Sequence, residues 1–172
     1  MRNDKLLRLV TAAVLAALAC VATMVVSVPI PATKGYFNLG DCIVLICGLF
    51  LGPVYGALAG GLGSALADLF LGYAVYAPGT FLIKGCMALF AALIFRALQK
   101  KTKFAAPVAV VPAALWMAAG YFLYESTLLG YGMAALGSVP ANLLQGAVGA
   151  VAAAVLFHAL RAVPAIRRFI EK

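Results

Sequence analysis

The feature that most constrains this chain is a succession of apolar runs, each near the length of a membrane-crossing helix, separated by proline, glycine and basic breaks. A spanning helix needs about 20 mostly apolar residues. Runs of about that length lie at 6–28, 36–51, 53–72, 78–97, 106–127 and 138–160, the second being the shortest and starting on polar residues. The breaks are Pro29-Ile30-Pro31, Gly52-Pro53, Ala77-Pro78-Gly79, Lys100-Lys101-Thr102-Lys103 and Leu129-Gly130-Tyr131-Gly132. With 66% hydrophobic and 10% charged residues over 172 positions, the chain carries more apolar surface than a soluble domain of this size buries. The expectation is an all-α integral membrane protein, one domain of six transmembrane helices over residues 1–172.

The net charge of +8 is not spread as a nucleic-acid-binding face. Apart from Lys34 and Lys84, the basic residues fall in three clusters: Arg2, Lys5 and Arg8; Arg96, Lys100, Lys101 and Lys103; and Arg161, Arg167, Arg168 and Lys172. An even number of spans puts all three on one side, which the positive-inside rule makes cytoplasmic. Both termini are then cytoplasmic, and the loops near 29–37, 73–77 and 128–137 lie outside. Ala17-Leu18-Ala19-Cys20 loosely resembles a lipoprotein cleavage site, but that box prefers Leu where Ala17 stands and the apolar run continues past Cys20, so the first span is expected to be retained. Cys20, Cys42, Cys47 and Cys86 lack metal-ligand spacing and read as free packing residues, which leaves metal and redox chemistry without support.

A charge in hydrocarbon costs about 2.5–3.5 kcal/mol or more, so Asp68, Lys84 and Glu125 inside the apolar runs mark a site with partners nearby. At about 1.5 Å of rise per residue, these three, with Asn38, Asp41, Asn142 and Gln145, all fall in the outer half of the membrane, leaving His158 as the strongly polar exception. Asn142 and Gln145, three apart, share a helix face. Together with Lys84, Glu125, Asn38 and the tyrosines Tyr36, Tyr76 and Tyr131, they suit a small polar ring compound held by stacking and directional hydrogen bonds. The plainer alternative is that these groups satisfy one another, with Asp68 and Lys84 an ion pair and Asn142 capping the last span. Small residues form a second pattern. Ala12, Ala13, Ala16 and Ala17 stripe the first span and Gly56, Gly60 and Ser64 the third, which lets helix backbones approach closely.

The motifs of several enzyme classes are missing. Gly79-Thr80-Phe81-Leu82-Ile83-Lys84-Gly85 lacks the second glycine and the Ser or Thr of a phosphate-binding loop, so ATP hydrolysis would fall to separate partners. Ser64 and His158 stand at different depths, which does not suit a Ser–His protease. The chain is expected not to be an enzyme and to need no cofactor.

Tyr36-Phe37-Asn38-Leu39-Gly40-Asp41, the stretch 48–68 ending Gly63-Ser64-Ala65-Leu66-Ala67-Asp68, and Gly72-Tyr73 through Tyr76-Ala77-Pro78 to Ile83-Lys84-Gly85 resemble the substrate-binding S components of energy-coupling factor (ECF) vitamin transporters. The branch they look like is the one that includes riboflavin-, pyridoxine- and hydroxymethylpyrimidine-type members. The resemblance implies a subunit of the bacterial plasma membrane that captures a vitamin-like molecule outside. It would then dock on a transmembrane scaffold (T) protein driven by two cytoplasmic ATPases. By the same resemblance, Ala12, Ala13, Ala16 and Ala17 map to the docking motif, and the loop from Pro29 to Leu39 to a gate over the site. Lys, Glu, Asn and Gln favour pyridoxine or hydroxymethylpyrimidine over riboflavin, whose broad ring wants more apolar walls. A riboflavin- or queuine-specific S component, or a stand-alone ion-coupled permease using Asp68 or Glu125, are the alternative readings.

Overall fold

The computed structural model describes residues 4–31 and 33–170. Arg2 and Lys172, counted above in the terminal basic clusters, lie outside the described residues. The chain runs α1 (Asp4–Val25), β1 (Ser27–Ile30), β2 (Gly35–Asn38), α2 (Asp41–Leu51), α3 (Pro53–Phe70), α4 (Ala77–Leu98), α5 (Ala105–Leu123), α6 (Val139–Arg161) and a short α7 (Pro164–Ile170). Four helical stretches are long and apolar enough to cross a membrane: Lys5–Val25, Ala77–Leu98, Ala105–Leu128 and Gly132–Arg161. Helix α2 has 11 residues, and α3 has 18 with four glycines and Asp68 diluting its hydropathy.

The second apolar run departs from its expected form. Residues 36–38 are strand, not helix, and α2 starts at Asp41. The reason is local. Gly35 and Gly40 bracket a Tyr-Phe-Asn segment that prefers extended backbone, and Asn38 Oδ1 accepts from Gly40 N at 2.9 Å, turning the chain into the helix. Strands β1 and β2 pair antiparallel from Ser27 with Asn38 to Ile30 with Gly35, and Lys34 in the connecting turn takes φ 55°.

Small residues bring the helices together. An added Cβ at Gly48 would strike the Ala88 carbonyl oxygen of α4, and one at Gly56 would lie 2.6 Å from the Cys47 carbonyl oxygen of α2. Gly63 abuts the Ala16 carbonyl oxygen, seating α1 on α3. The glycine stripe of α3 is therefore consumed inside the bundle. The resulting core is alanine-rich, with Leu45, Met87, Val110, Met117 and Phe157 as its larger members. Many large apolar side chains point outward instead, among them Val14, Leu18, Val21, Leu62, Leu82 and Val155. A soluble protein rarely exposes so much apolar surface, and a lipid-facing one must.

The stripe on α1 divides. Ala12 and Ala16 pack against the buried Cys47, Leu51 and Ala59, whereas Ala13 and Ala17 stay exposed on the outer face.

Candidate functional site

Polar side chains from four helices and the hairpin converge at one end of the bundle. Helix α3 carries Asp68 in its last turn, and α4 carries Thr80 and Lys84 in its first two turns, one turn apart on a single face. Helix α5 does not stop cleanly. Tyr124–Leu128 form a widened π turn in which Leu129 N donates to Tyr124 O at 3.0 Å, and this turn carries Glu125 into the interior. Helix α6 supplies Asn142 and Gln145 from its first turns.

Lys84 pairs with Asp41, both about 1% exposed, in the salt bridge formed among the described residues. Gln145 Nε2 donates to the other Asp41 oxygen at 3.0 Å, and its Oε1 accepts from Asn38 N at 2.7 Å. Gly149 permits this, because an added Cβ there would stand 2.6 Å from Asp41 Cβ. The alternative in which Asp68 pairs with Lys84 is thus not the arrangement formed, because Lys84 meets Asp41. A buried ammonium needs a carboxylate in contact, and the start of α2 provides one. Asp68 instead accepts from the Tyr36 hydroxyl at 2.5 Å, and its Oδ2 is buried with no hydrogen-bond partner.

Glu125 makes the second cluster. Its Oε2 accepts from Ser138 Oγ, and its Oε1 lies 3.2 Å from the Tyr76 hydroxyl, which donates to Thr33 O at 2.6 Å. Asn142 Nδ2 reaches Ser138 Oγ at 3.5 Å, so Asn142 joins this cluster and does not cap α6. In the hairpin and the turn before α4, burial comes first in raising the phenols of Tyr36 and Tyr76 above their ordinary range. The charge of Asp68 adds to it for Tyr36, and both phenols remain donors.

The cavity between these groups is walled by Tyr36, Asn38 and Ile30 of the hairpin, Asp68, Tyr76 and Thr80, Tyr121 and Glu125, and Asn142 and Gln145. Its room is about 20 Å³, enough for a water molecule. The hairpin covers it and is fastened at three points: Tyr36 to Asp68, Asn38 N to Gln145, and Thr33 O to Tyr76.

Of the residues singled out from sequence, Tyr36, Asn38, Tyr76, Glu125, Asn142 and Gln145 line this cavity. Lys84 lies off its wall, held by Asp41, with its ammonium 5.4 Å from the Tyr121 ring centre. Tyr131 stands at the rim, where its backbone N–H donates to Glu125 O at 3.0 Å. Asp41, Thr80, Tyr121 and Ser138 were not among the candidates. Thr80 with Lys84 and Tyr121 with Glu125 are both four apart, and that spacing was the available signal. Trp116 packs edge-on against Phe90 at 5.0 Å, away from the cavity.

Together these features define a helical membrane protein with a small polar cavity at one end, under a hairpin. Residues 3–162 match the family described as ECF-type riboflavin transporter, S component, and the chain belongs to that family. That family is one of transporter subunits, the S components. It is also 49% identical over 65 residues to an uncharacterized protein in the gap 3' region of Pyrococcus woesei, a match covering 38% of this chain and 43% of that one. The match thus spans under half of either protein.

Proposed function

We propose that this chain captures a compact polar heterocycle, of the pyridoxine or hydroxymethylpyrimidine kind, for an energy-coupled importer of the bacterial plasma membrane. In this reading it crosses the membrane six times with both termini cytoplasmic. It docks through α1 on a transmembrane scaffold protein served by two cytoplasmic ATPases. The observation that carries the reading is the cavity itself: nearly every residue lining it bears a hydrogen-bonding side chain, and it is roofed by a segment fastened to its walls by three hydrogen bonds. Membrane proteins place polar groups at depth where a pathway or ligand needs them.

The tyrosines Tyr36, Tyr76 and Tyr121 supply faces for stacking, and Asn142 and Gln145 supply donors and acceptors for ring substituents. The hairpin acts as the gate, because room for a single water cannot admit a ring until the roof lifts. Lys84, Tyr131 and Asn38 then serve the ligand indirectly, by bracing Asp41, by positioning the Glu125 turn and by latching the roof to Gln145.

The test is native mass spectrometry of the purified protein for a retained small molecule, with calorimetry on Glu125→Gln and Asn142→Ala. A retained vitamin-like heterocycle, bound about tenfold or more weakly by both variants at unchanged fold, is the expected result. An empty protein that binds no such compound would instead favour an ion-coupled permease built on Asp68 or Glu125. A retained riboflavin or queuine would keep the capture role and change the substrate.

A further inference from the structure

Resting on the capture reading, we infer that the molecule this site accepts is a cation: a heterocycle carrying a protonated amine or ring nitrogen that lies between Asp68 and Glu125. The inference starts from a charge count. The chain has five acidic residues, and three of them, Asp41, Asp68 and Glu125, are buried at this one end of the bundle. One buried lysine is present to meet them. Lys84 is in contact with Asp41, which leaves the other two carboxyl groups without a salt-bridge partner among the described residues.

Neither of those is balanced from within. Asp68 and Glu125 are each 2% exposed and form no salt bridge among the described residues. Asp68 has one bonded oxygen, through Tyr36, and its Oδ2 is buried without a partner. A buried carboxylate whose second oxygen is unmatched is costly, and such groups persist where a partner arrives from outside. Glu125 is held by neutral donors alone, Ser138 and the shared Tyr76 hydroxyl. Both residues line the same cavity, with Tyr76 and Thr80 beside them.

The arrangement also points away from a metal ion. No group of three His, Cys, Asp or Glu side chains gathers among the described residues, so the two carboxylates stand as separate acceptors on different helices. The three tyrosine faces on the cavity wall add to the preference, because an aromatic face attracts a cation. A neutral ring would leave both acids unpaired once the hairpin closed over it. A cationic one would supply the missing partner for Asp68 Oδ2 and a donor for Glu125.

The experiment uses the full-length protein in detergent. Any retained molecule is released, identified and assigned a charge at pH 7. Calorimetry then compares two matched pairs, pyridoxamine against pyridoxine and 7-aminomethyl-7-deazaguanine against 7-hydroxymethyl-7-deazaguanine, in which an amine cation replaces a neutral hydroxyl. The expected result is a cationic retained molecule and a cationic pair member that binds at least tenfold tighter, about 1.4 kcal/mol. In the Asp68→Asn, Glu125→Gln double variant that preference should fall to within about threefold. A purely structural role for the two acids would lower stability and leave the preference intact. The wild-type comparison stands alone if the double variant does not fold. A neutral or anionic retained molecule, or a neutral member binding as tightly as its cationic twin, overturns the inference and leaves the capture role standing. A protein that retains nothing and also binds neither riboflavin nor any of the four probes overturns the capture reading and this inference with it.

Discussion

Lys84→Met tests the assignment of Lys84 to Asp41 most directly. Both side chains are about 1–2% exposed, so methionine replaces the lysine stem at similar volume and leaves the Asp41 carboxylate buried without its cation. Breaking a buried pair from one side costs about 3–5 kcal/mol. At about 2–4 °C per kcal/mol for a chain of this size, the unfolding midpoint should fall by about 6–20 °C. Asp41→Asn in the Lys84→Met background should restore most of it. The asparagine keeps an acceptor for Gln145 Nε2, now at 3.0 Å from Asp41, and removes the orphaned charge. Thermal unfolding followed by a thiol-reactive dye suits the protein once the partly buried Cys42 and Cys86 are replaced by serine, because Cys47 is fully buried and reacts only when the bundle opens. The expected interaction between the two sites in a double-mutant cycle is about 2 kcal/mol or more, within the span seen for contacting residues. A Lys84→Met variant within about 1 kcal/mol of the parent, or a double variant no more stable than the single one, would refute the reasoning and return the Lys84 ammonium to the cavity as a ligand group.

Three further outcomes are expected. Gly63→Leu should destabilise the bundle by about 1–3 kcal/mol, because its Cβ meets the Ala16 carbonyl oxygen and lies 2.9 Å from Ala19 Cβ, which chemical or thermal unfolding would register. Ala13→Leu with Ala17→Leu should shift stability by no more than about 0.5 kcal/mol, since both positions are exposed, while abolishing uptake by the assembled transporter at unchanged ligand affinity. Equal loss of binding and uptake would count against a docking face there. Tyr36→Phe should weaken the closed hairpin by about 1.5–3 kcal/mol, the range for a hydrogen bond to a charged group, and be read as faster ligand release in stopped-flow dissociation.

What could be read from the sequence followed the solvent. In a membrane, the cost of an unsatisfied polar group is high enough that the polar letters of an apolar chain identify their own site, and Tyr36, Asn38, Tyr76, Glu125, Asn142 and Gln145 do line one cavity. What the letters lacked was pairing. Asp68, Asp41 and Lys84 are all visible as buried charges, but which carboxylate meets the lysine depends on the lateral arrangement of α2, α3 and α4. That arrangement is set by glycine contacts such as Gly48 against Ala88 and Gly149 against Asp41. The hairpin was missed for a different reason. Its Tyr-Phe-Asn strand is apolar enough to extend a helical pattern by composition, and only Gly35 and Gly40 mark its ends. The π turn at Tyr124–Leu128 has no sequence signature at all, yet it turns Glu125 inward. The alanine stripe of α1 was legible as a packing face but not as two faces. Ala12 and Ala16 belong to the bundle and Ala13 and Ala17 to the exterior, a division fixed by where Gly63 of α3 lets α1 sit.

The way the roof is fastened gives the site a further property. Asp68 and Gln145, each on the cavity wall, are also the groups that hold Tyr36 and Asn38 of the hairpin, and Tyr76 holds Thr33 while facing Glu125. A ligand that bonds to any of these side chains either shares an acceptor with the hairpin or takes it away. Asp68 can share, since Oδ1 serves Tyr36 and Oδ2 is unmatched. Gln145 is already committed at both ends, to Asn38 N and to Asp41. Contacts at Asp68 thus strengthen closure and contacts at Gln145 compete with it. Ligand affinity and hairpin position are then linked with a sign set by which wall the ligand uses, because a ligand shifts a conformational equilibrium only by its differential contacts with the two states. A molecule held chiefly between Asp68 and Glu125 closes the roof over itself, and one held chiefly by Gln145 props it open.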